Sequence, residues 1–204
     1  MNSTPTPPDR RLLVLASQSR YRLAMLQKLH LDPLCHPTHI DESPIKGELP
    51  QQTALRLACE KADAAAQHHA RALIIGSDQV AELDGQPLGK PGTRQRAVEQ
   101  LSACSGKSVL FHTAVCLLNS ATGRRQQSCE TVTVKFRPLS ADFISGYLER
   151  EDVLDCAGSF KSEGLGIALF KSIEATDPNT LQGLPVIRLL DFLAQEGYGL
   201  FPEG

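Results

Sequence analysis

The chain has 204 residues, of which 41% are hydrophobic and 22% charged, and its formal net charge is −2. Length and composition suit a soluble globular protein with a sizeable core, in one domain or two small ones. The near-neutral charge gives no electrostatic basis for binding a nucleic-acid polymer or an anionic membrane, and the scarcity of aromatics (no Trp, 3 Tyr, 7 Phe) argues against a base-stacking platform.

Residues 1–11 read as a loose Ser/Thr/Pro-rich tail without an apolar signal core, and no apolar run reaches the roughly 20 residues that span a bilayer. The cysteines at 35, 59, 104, 116, 129 and 156 form no Cys-x-x-Cys pair and resemble small buried hydrophobes of a reducing compartment, so the cytoplasm is the expected location.

An apolar strand at 12–16 runs into Ser17-Gln18-Ser19-Arg20-Tyr21-Arg22, followed by a helix with Leu23, Leu26 and Leu29 spaced by three. Ser17 or Ser19 can N-cap that helix. Hydroxyls, free backbone N–H groups and arginines at a helix start suit an anion site; plain capping with solvated arginines fits equally well. A second strand is expected at 35–40, with His36 and His39 as surface or edge-strand residues. Asp41 and Glu42 follow, as a solvated turn or as oxygen ligands for a hard cation such as Mg²⁺. Pro50 opens a helix with Leu55, Ala58, Ala62 and Ala65 on one face. Lys61 lies beside that stripe, placed either to reach a cleft or to stand in solvent next to Glu60.

Residues 72–75 predict a buried strand. Gly76 then frees the backbone, and Ser77, Asp78 and Gln79 stand where the strand is expected to end. A carboxylate there is costly without a partner, and it is also a rigid place for a catalytic group; a capping turn is the plain alternative. Residues 80–83 and 86–88 around Asp84-Gly85 predict a hairpin. It leads to Gly89-Lys90-Pro91, where a constrained lysine suits a phosphate or an ordinary loop. A short helix is expected at 94–102. Ser105-Gly106-Lys107-Ser108 resembles the end of a phosphate-binding P-loop, but Leu101 stands at the first glycine position and strand follows, which excludes it. Strands at 109–118 and 129–137 pair through Ala121-Thr122-Gly123, and Ser140 starts a helix. Residues 156–166 hold three glycines, two serines, Lys161 and Glu163, the composition of a binding loop. A strand at 167–173, a turn at Asp177-Pro178-Asn179 and a helix at 185–194 complete the chain. No linker divides it, so residues 12–204 are expected to form one domain.

Together these segments resemble the Maf family of nucleoside triphosphate pyrophosphatases. The resemblance spans Leu12 to about Leu193. It is carried by Leu15-Ala16-Ser17-Gln18-Ser19-Arg20-Tyr21-Arg22, Asp41-Glu42, Glu60-Lys61-Ala62, Gly76-Ser77-Asp78-Gln79, Gly89-Lys90-Pro91 and Gly158-Ser159-Phe160-Lys161-Ser162-Glu163-Gly164. It implies an α/β fold: an elongated mixed sheet with flanking helices and a central cleft, like inosine triphosphate pyrophosphatases. It further implies hydrolysis of the α–β phosphate bond to a monophosphate and pyrophosphate, a divalent cation (Mg²⁺ or Mn²⁺), and a homodimer. Carried over by position, Asp78 is catalytic, Glu42 and Asp78 hold the metal, and Ser17, Ser19, Arg22, Lys61, Lys90 and Lys161 bind phosphate. Tyr21, Gln79 and Glu163 set specificity. Ser-Asp-Gln and Lys-Ser-Glu-Gly resemble the 7-methyl-GTP subgroup; a dTTP/UTP pyrophosphatase, or a nucleotide-binding regulator of septum formation without turnover, are the alternatives. Arg20 departs from the family's usual Pro, either adding a phosphate contact or facing solvent, and Tyr21 stands where Trp is frequent.

Overall fold

The computed structural model describes residues 11–201. The tail expected over 1–11 therefore lies, apart from Arg11, outside the described residues. Three twelve-residue strands form the spine: β3 (Ala72–Leu83), β5 (Ser108–Asn119) and β6 (Arg125–Phe136), antiparallel neighbours in that order. At one edge β1 (Leu12–Leu15) pairs parallel to β3, and β2 (Leu34–Cys35) pairs parallel to β1. At the other edge β7 (Phe170–Glu174) pairs antiparallel to β6. On the β1 side of β3, beyond the end of β1, β4 (Gln86–Leu88) forms a hairpin with β3. This is the expected mixed α/β sheet, of seven strands among the described residues.

Helices cover the sheet unevenly along its length. Helix α2 (Pro50–Ala66) lies on one face of the β1–β3–β5 end, where Ala54, Ala58, Ala62 and Ala65 meet Val14, Ile74, Ala114 and Cys116. Small side chains let the helix axis approach closely. At Gly76 it comes so near that a Cβ would stand 2.0 Å from the Ala58 carbonyl oxygen. The glycine thus serves close helix–strand contact, not backbone freedom. On the opposite face, helices α1 (Arg20–Lys28) and α5 (Val186–Gln195) pack Leu26, Leu189 and Leu193 against Leu15, Leu73, Ile75 and Leu117. The far end of the spine has its own core under α3 (Arg94–Cys104) and α4 (Ala141–Leu148). There Phe111, Phe136, Phe160 and Phe170 pack edge to face, with centroids 4.7–5.9 Å apart.

Three sequence expectations change. The strand begun at Ala72 does not stop at Ile75: it continues through Ser77 and Asp78, with Asp78 opposite Ala114. It can do so because both polar side chains find partners inside the fold. The strand expected at 35–40 shrinks to Leu34–Cys35, since Pro37 has no N–H for the ladder. The strand expected at 167–173 begins as a 3₁₀ turn (Leu165–Leu169) and becomes β7 only at Phe170. All six cysteines are free, and no helix among the described residues is long and apolar enough to cross a membrane.

Candidate active site

Between the two ends of the spine lies a cleft of about 1370 Å³. All eleven residues singled out from the sequence line it: Ser17, Ser19, Tyr21, Arg22, Glu42, Lys61, Asp78, Gln79, Lys90, Lys161 and Glu163.

Its floor is an acid–lysine–acid cluster. Asp78 projects from the middle of β3, Lys61 from α2 and Glu42 from the segment after β2. The Lys61 ammonium donates to Asp78 Oδ1 at 2.6 Å and lies 2.7 Å from Glu42 Oε1. Asp78 and Lys61 are buried, while the Glu42 side chain is 54% exposed. Depth separates the two acids. Burial pushes the Asp78 carboxyl above its ordinary value, against the pull of Lys61 and Arg22, and Glu42 adds to the rise. Burial also pushes on Glu42, but Lys61, then Lys90 and Arg22, hold it below the usual range. The solvent reading of Lys61 is thus replaced by a buried ion pair, and Glu60 pairs instead with Arg56 at 3.1 Å.

The Ser17–Arg22 loop does both things its sequence allowed. Ser19 N-caps α1, accepting from the Arg22 backbone N–H at 3.3 Å, and the Ser19 N–H donates to Ser17 Oγ at 3.1 Å. Arg22 turns inward: Nε donates to the Gly183 carbonyl at 2.8 Å, and Nη1 donates to the Ser77 carbonyl at 2.9 Å and to Ser17 Oγ at 3.2 Å. Nη2 makes no hydrogen bond among the described residues, leaving one edge of the fork for the cleft. Burial lowers the guanidinium pKa, opposed by Asp78 and Glu42. The Gln79 amide N–H₂ donates to Thr113 Oγ1 (2.8 Å) and towards the carbonyls of Thr180 (3.1 Å) and Leu181 (3.2 Å). Its Oε1, with no partner among the described residues, is the group it can offer to a ligand.

Sequence reading missed the segment that makes these grips possible. The carbonyls of Thr180, Leu181 and Gly183 hold Gln79, Arg22 and the Ser77 hydroxyl, which lies 3.0 Å from Gly183 O. Asp177, 1% exposed, shapes the segment by accepting from the N–H groups of Asn179 and Ile187. The Asp-Pro-Asn turn was visible in sequence. A buried Asp and a left-handed Gly183 (φ 106°) reaching across to β3 were not.

The rest of the cleft is looser. Lys90, whose charge reaches Glu42, is exposed and forms no ion pair among the described residues, and the exposed Glu163 accepts only from its neighbour Ser162, at 3.3 Å. Lys161 lies 3.6 Å from Glu151. Tyr21 is half-buried, with the Arg20 guanidinium over its ring.

Among the described residues no group of three or more His, Cys, Asp or Glu side chains is arranged to hold a metal ion. Glu42 and Asp78 each place one oxygen on the Lys61 ammonium, and their other oxygens are hard donors of the kind Mg²⁺ takes, an ion that commonly uses one or two carboxylates and completes its shell with water and substrate phosphates.

The fold is a Ham1-like α/β fold. It aligns with the solved structure of the Staphylococcus aureus Ham1 protein at a TM-score of 0.52 and 15% identity, covering 90% of this chain and 98% of that one. The chain belongs to the Maf family: the model described as Maf-like protein matches residues 12–196. Among curated relatives, one from Alcanivorax borkumensis is 55% identical over 92% of this chain and 95% of its own length. Another, from Methylobacillus flagellatus, is 51% identical over 91% and 96%. Both are named 7-methyl-GTP pyrophosphatase.

Proposed function

We propose that this protein hydrolyses the α–β phosphoric anhydride of nucleoside triphosphates, with 7-methyl-GTP as preferred substrate, releasing the monophosphate and pyrophosphate. The observation that carries the reading is the buried Lys61–Asp78 pair, with Glu42 on the same ammonium, at the floor of a cleft lined by the eleven residues carried over from the family. Relatives about half identical over nearly their whole length, bearing the 7-methyl-GTP pyrophosphatase name, support the substrate.

Asp78 is the base. Held in a mid-strand position, it accepts a proton from the attacking water, and its raised pKa makes it a better acceptor than an exposed aspartate. Lys61 keeps that carboxylate ionised and turns a donor towards the phosphates. Arg22 Nη2, the Ser17 and Ser19 hydroxyls, Lys90 and Lys161 neutralise the oxygens of the triphosphate and of the departing pyrophosphate. A divalent cation, Mg²⁺ or Mn²⁺, would be held by Glu42 and Asp78 and would supply charge neutralisation at the phosphate oxygens.

At the base end, methylation at N7 makes guanine cationic. The Tyr21 ring attracts a cation over its face. Glu163, an acceptor-only carboxylate, can take the N1–H and 2-amino donors of guanine and offset the positive charge. Gln79 adds one fixed acceptor, Oε1, on the sugar or base side.

The decisive experiment is a panel of 7-methyl-GTP, GTP, dTTP and UTP with Mg²⁺ or Mn²⁺, with pyrophosphate and monophosphate release measured separately. Pyrophosphate release fastest from 7-methyl-GTP is expected. Orthophosphate as first product would overturn the bond assignment, and faster dTTP and UTP turnover would overturn the substrate.

A further inference from the structure

Arg20 opens α1 and is exposed, and both it and Tyr21 line the cleft. It does not lie free in solvent. Its Cζ stands 5.1 Å from the centroid of the Tyr21 ring, and Nη2 donates to the Tyr21 hydroxyl at 3.1 Å. Among the described residues Arg20 has no carboxylate within ion-pair distance, so the tyrosine is what holds it. The guanidinium therefore covers the aromatic surface that a flat, positively charged ring would use.

We infer that Arg20 is a further specificity-determining residue, a tethered positive charge beside the face of Tyr21 that opposes a cationic N7-alkylated purine there. This rests on the substrate reading above. The physical content is a difference between two bases. Any base stacked on that face displaces Arg20 and loses the same Arg20–Tyr21 contact. Once displaced, Arg20 remains tethered one residue away, where its charge repels a cationic base and leaves neutral guanine unaffected. That repulsion lowers discrimination in favour of the cationic substrate. Arg20 acts as a brake on selectivity, confined to the base end of the cleft.

The test compares Arg20→Gln, which keeps length and planarity but drops the charge, with Arg20→Lys, which keeps the charge. For each, kcat/KM is measured for 7-methyl-GTP and GTP by pyrophosphate release, with circular dichroism to verify folding. Arg20→Gln is expected to raise the 7-methyl-GTP:GTP ratio roughly two- to fivefold, the size of the repulsion between two solvent-exposed unit charges a few ångströms apart. Arg20→Lys should keep more of the wild-type ratio. High salt, which screens an exposed charge, should narrow the difference between wild type and Arg20→Gln. An unchanged ratio in Arg20→Gln overturns the inference while leaving the pyrophosphatase reading intact. A fall in kcat/KM by the same factor for both substrates also overturns it, assigning Arg20 to the phosphates. Absence of pyrophosphate release by the wild-type protein from either nucleotide overturns the substrate reading and this inference with it.

Discussion

At the Asp78 end of the cleft the fold holds the charged groups; around Glu163 only Lys161 has a partner, Glu151, while Glu163 and Arg20 are exposed. Lys61 is clamped between two carboxylates, Arg22 spends Nε and Nη1 on the fold, and Gln79 is held by three acceptors. Lys90 and Glu163 have no cross-fold partner, and Arg20 rests on a neighbouring ring. The difference follows from what each end is proposed to do. Phosphoryl chemistry draws its rate from donors and acceptors already in place, because reorientation during the reaction would cost the stabilisation they supply. Base recognition needs only a differential of a few kcal/mol, which mobile side chains can deliver.

Substitutions should therefore hurt most at the rigid end. Asp78→Asn should lower kcat by about 10²–10⁴, with nucleotide binding still measurable by calorimetry; near-normal turnover would break the contrast at its centre. Lys61→Met should destabilise the protein by about 3 kcal/mol in a denaturant titration, towards the lower part of the range for a broken buried pair, because Asp78 can take up a proton and Glu42 is largely exposed.

The same variant moves the pH profile. The base must be ionised, so activity falls as pH drops through the Asp78 pKa. That acid limb should lie above the ordinary aspartate value of 3.8. Removing Lys61 takes away a charge that lowers this pKa, so the limb should shift to higher pH; a shift the other way would remove Asp78 from the base role. The stability linkage has a definite sign. Folded Asp78 binds its proton more tightly than unfolded Asp78, so this group's contribution to stability declines as pH rises from 3.8 through its raised value.

At the open end the effects should be smaller and selective. Glu163→Gln should cut kcat/KM for 7-methyl-GTP by about tenfold, the scale of one charge-assisted hydrogen bond, and UTP turnover by less. Equal losses would mean that Glu163 does not read the base. Tyr21→Ala should raise KM for the methylated substrate by roughly two- to thirtyfold, the range of a cation–π contact, and an unchanged KM would count against stacking.

Much of this contrast was legible in the chain, and the rest was hidden for identifiable reasons. The order of strands and helices followed from local periodicity and turn chemistry, as in the β3–β4 hairpin around Asp84-Gly85 and the Ser19 and Ser140 caps. That residues 72–75 and 80–83 belong to one continuous strand was not legible. Ser77 and Asp78 look like terminators until the carbonyls of Ala114 and Gly183 and the Lys61 ammonium are known to wait for them. Gly76 was visible as a glycine, but the helix pressed against it was not.

Residue types and their spacing determined by themselves the mixed α/β order of strands and helices and, through the resemblance to the Maf family, which acids, lysines and hydroxyls to look for around one cleft. Only the tertiary structure decided which of those groups are spent on one another and which remain for a ligand. Lys61 between its two carboxylates, Arg22 on Ser77 and Gly183, Gln79 on the 180–181 carbonyls and Arg20 on Tyr21 are all matters of partnership. Partnership depends on distances and burial across the fold, and a burial cost that splits Asp78 from Glu42 around a shared ammonium has no counterpart in local sequence.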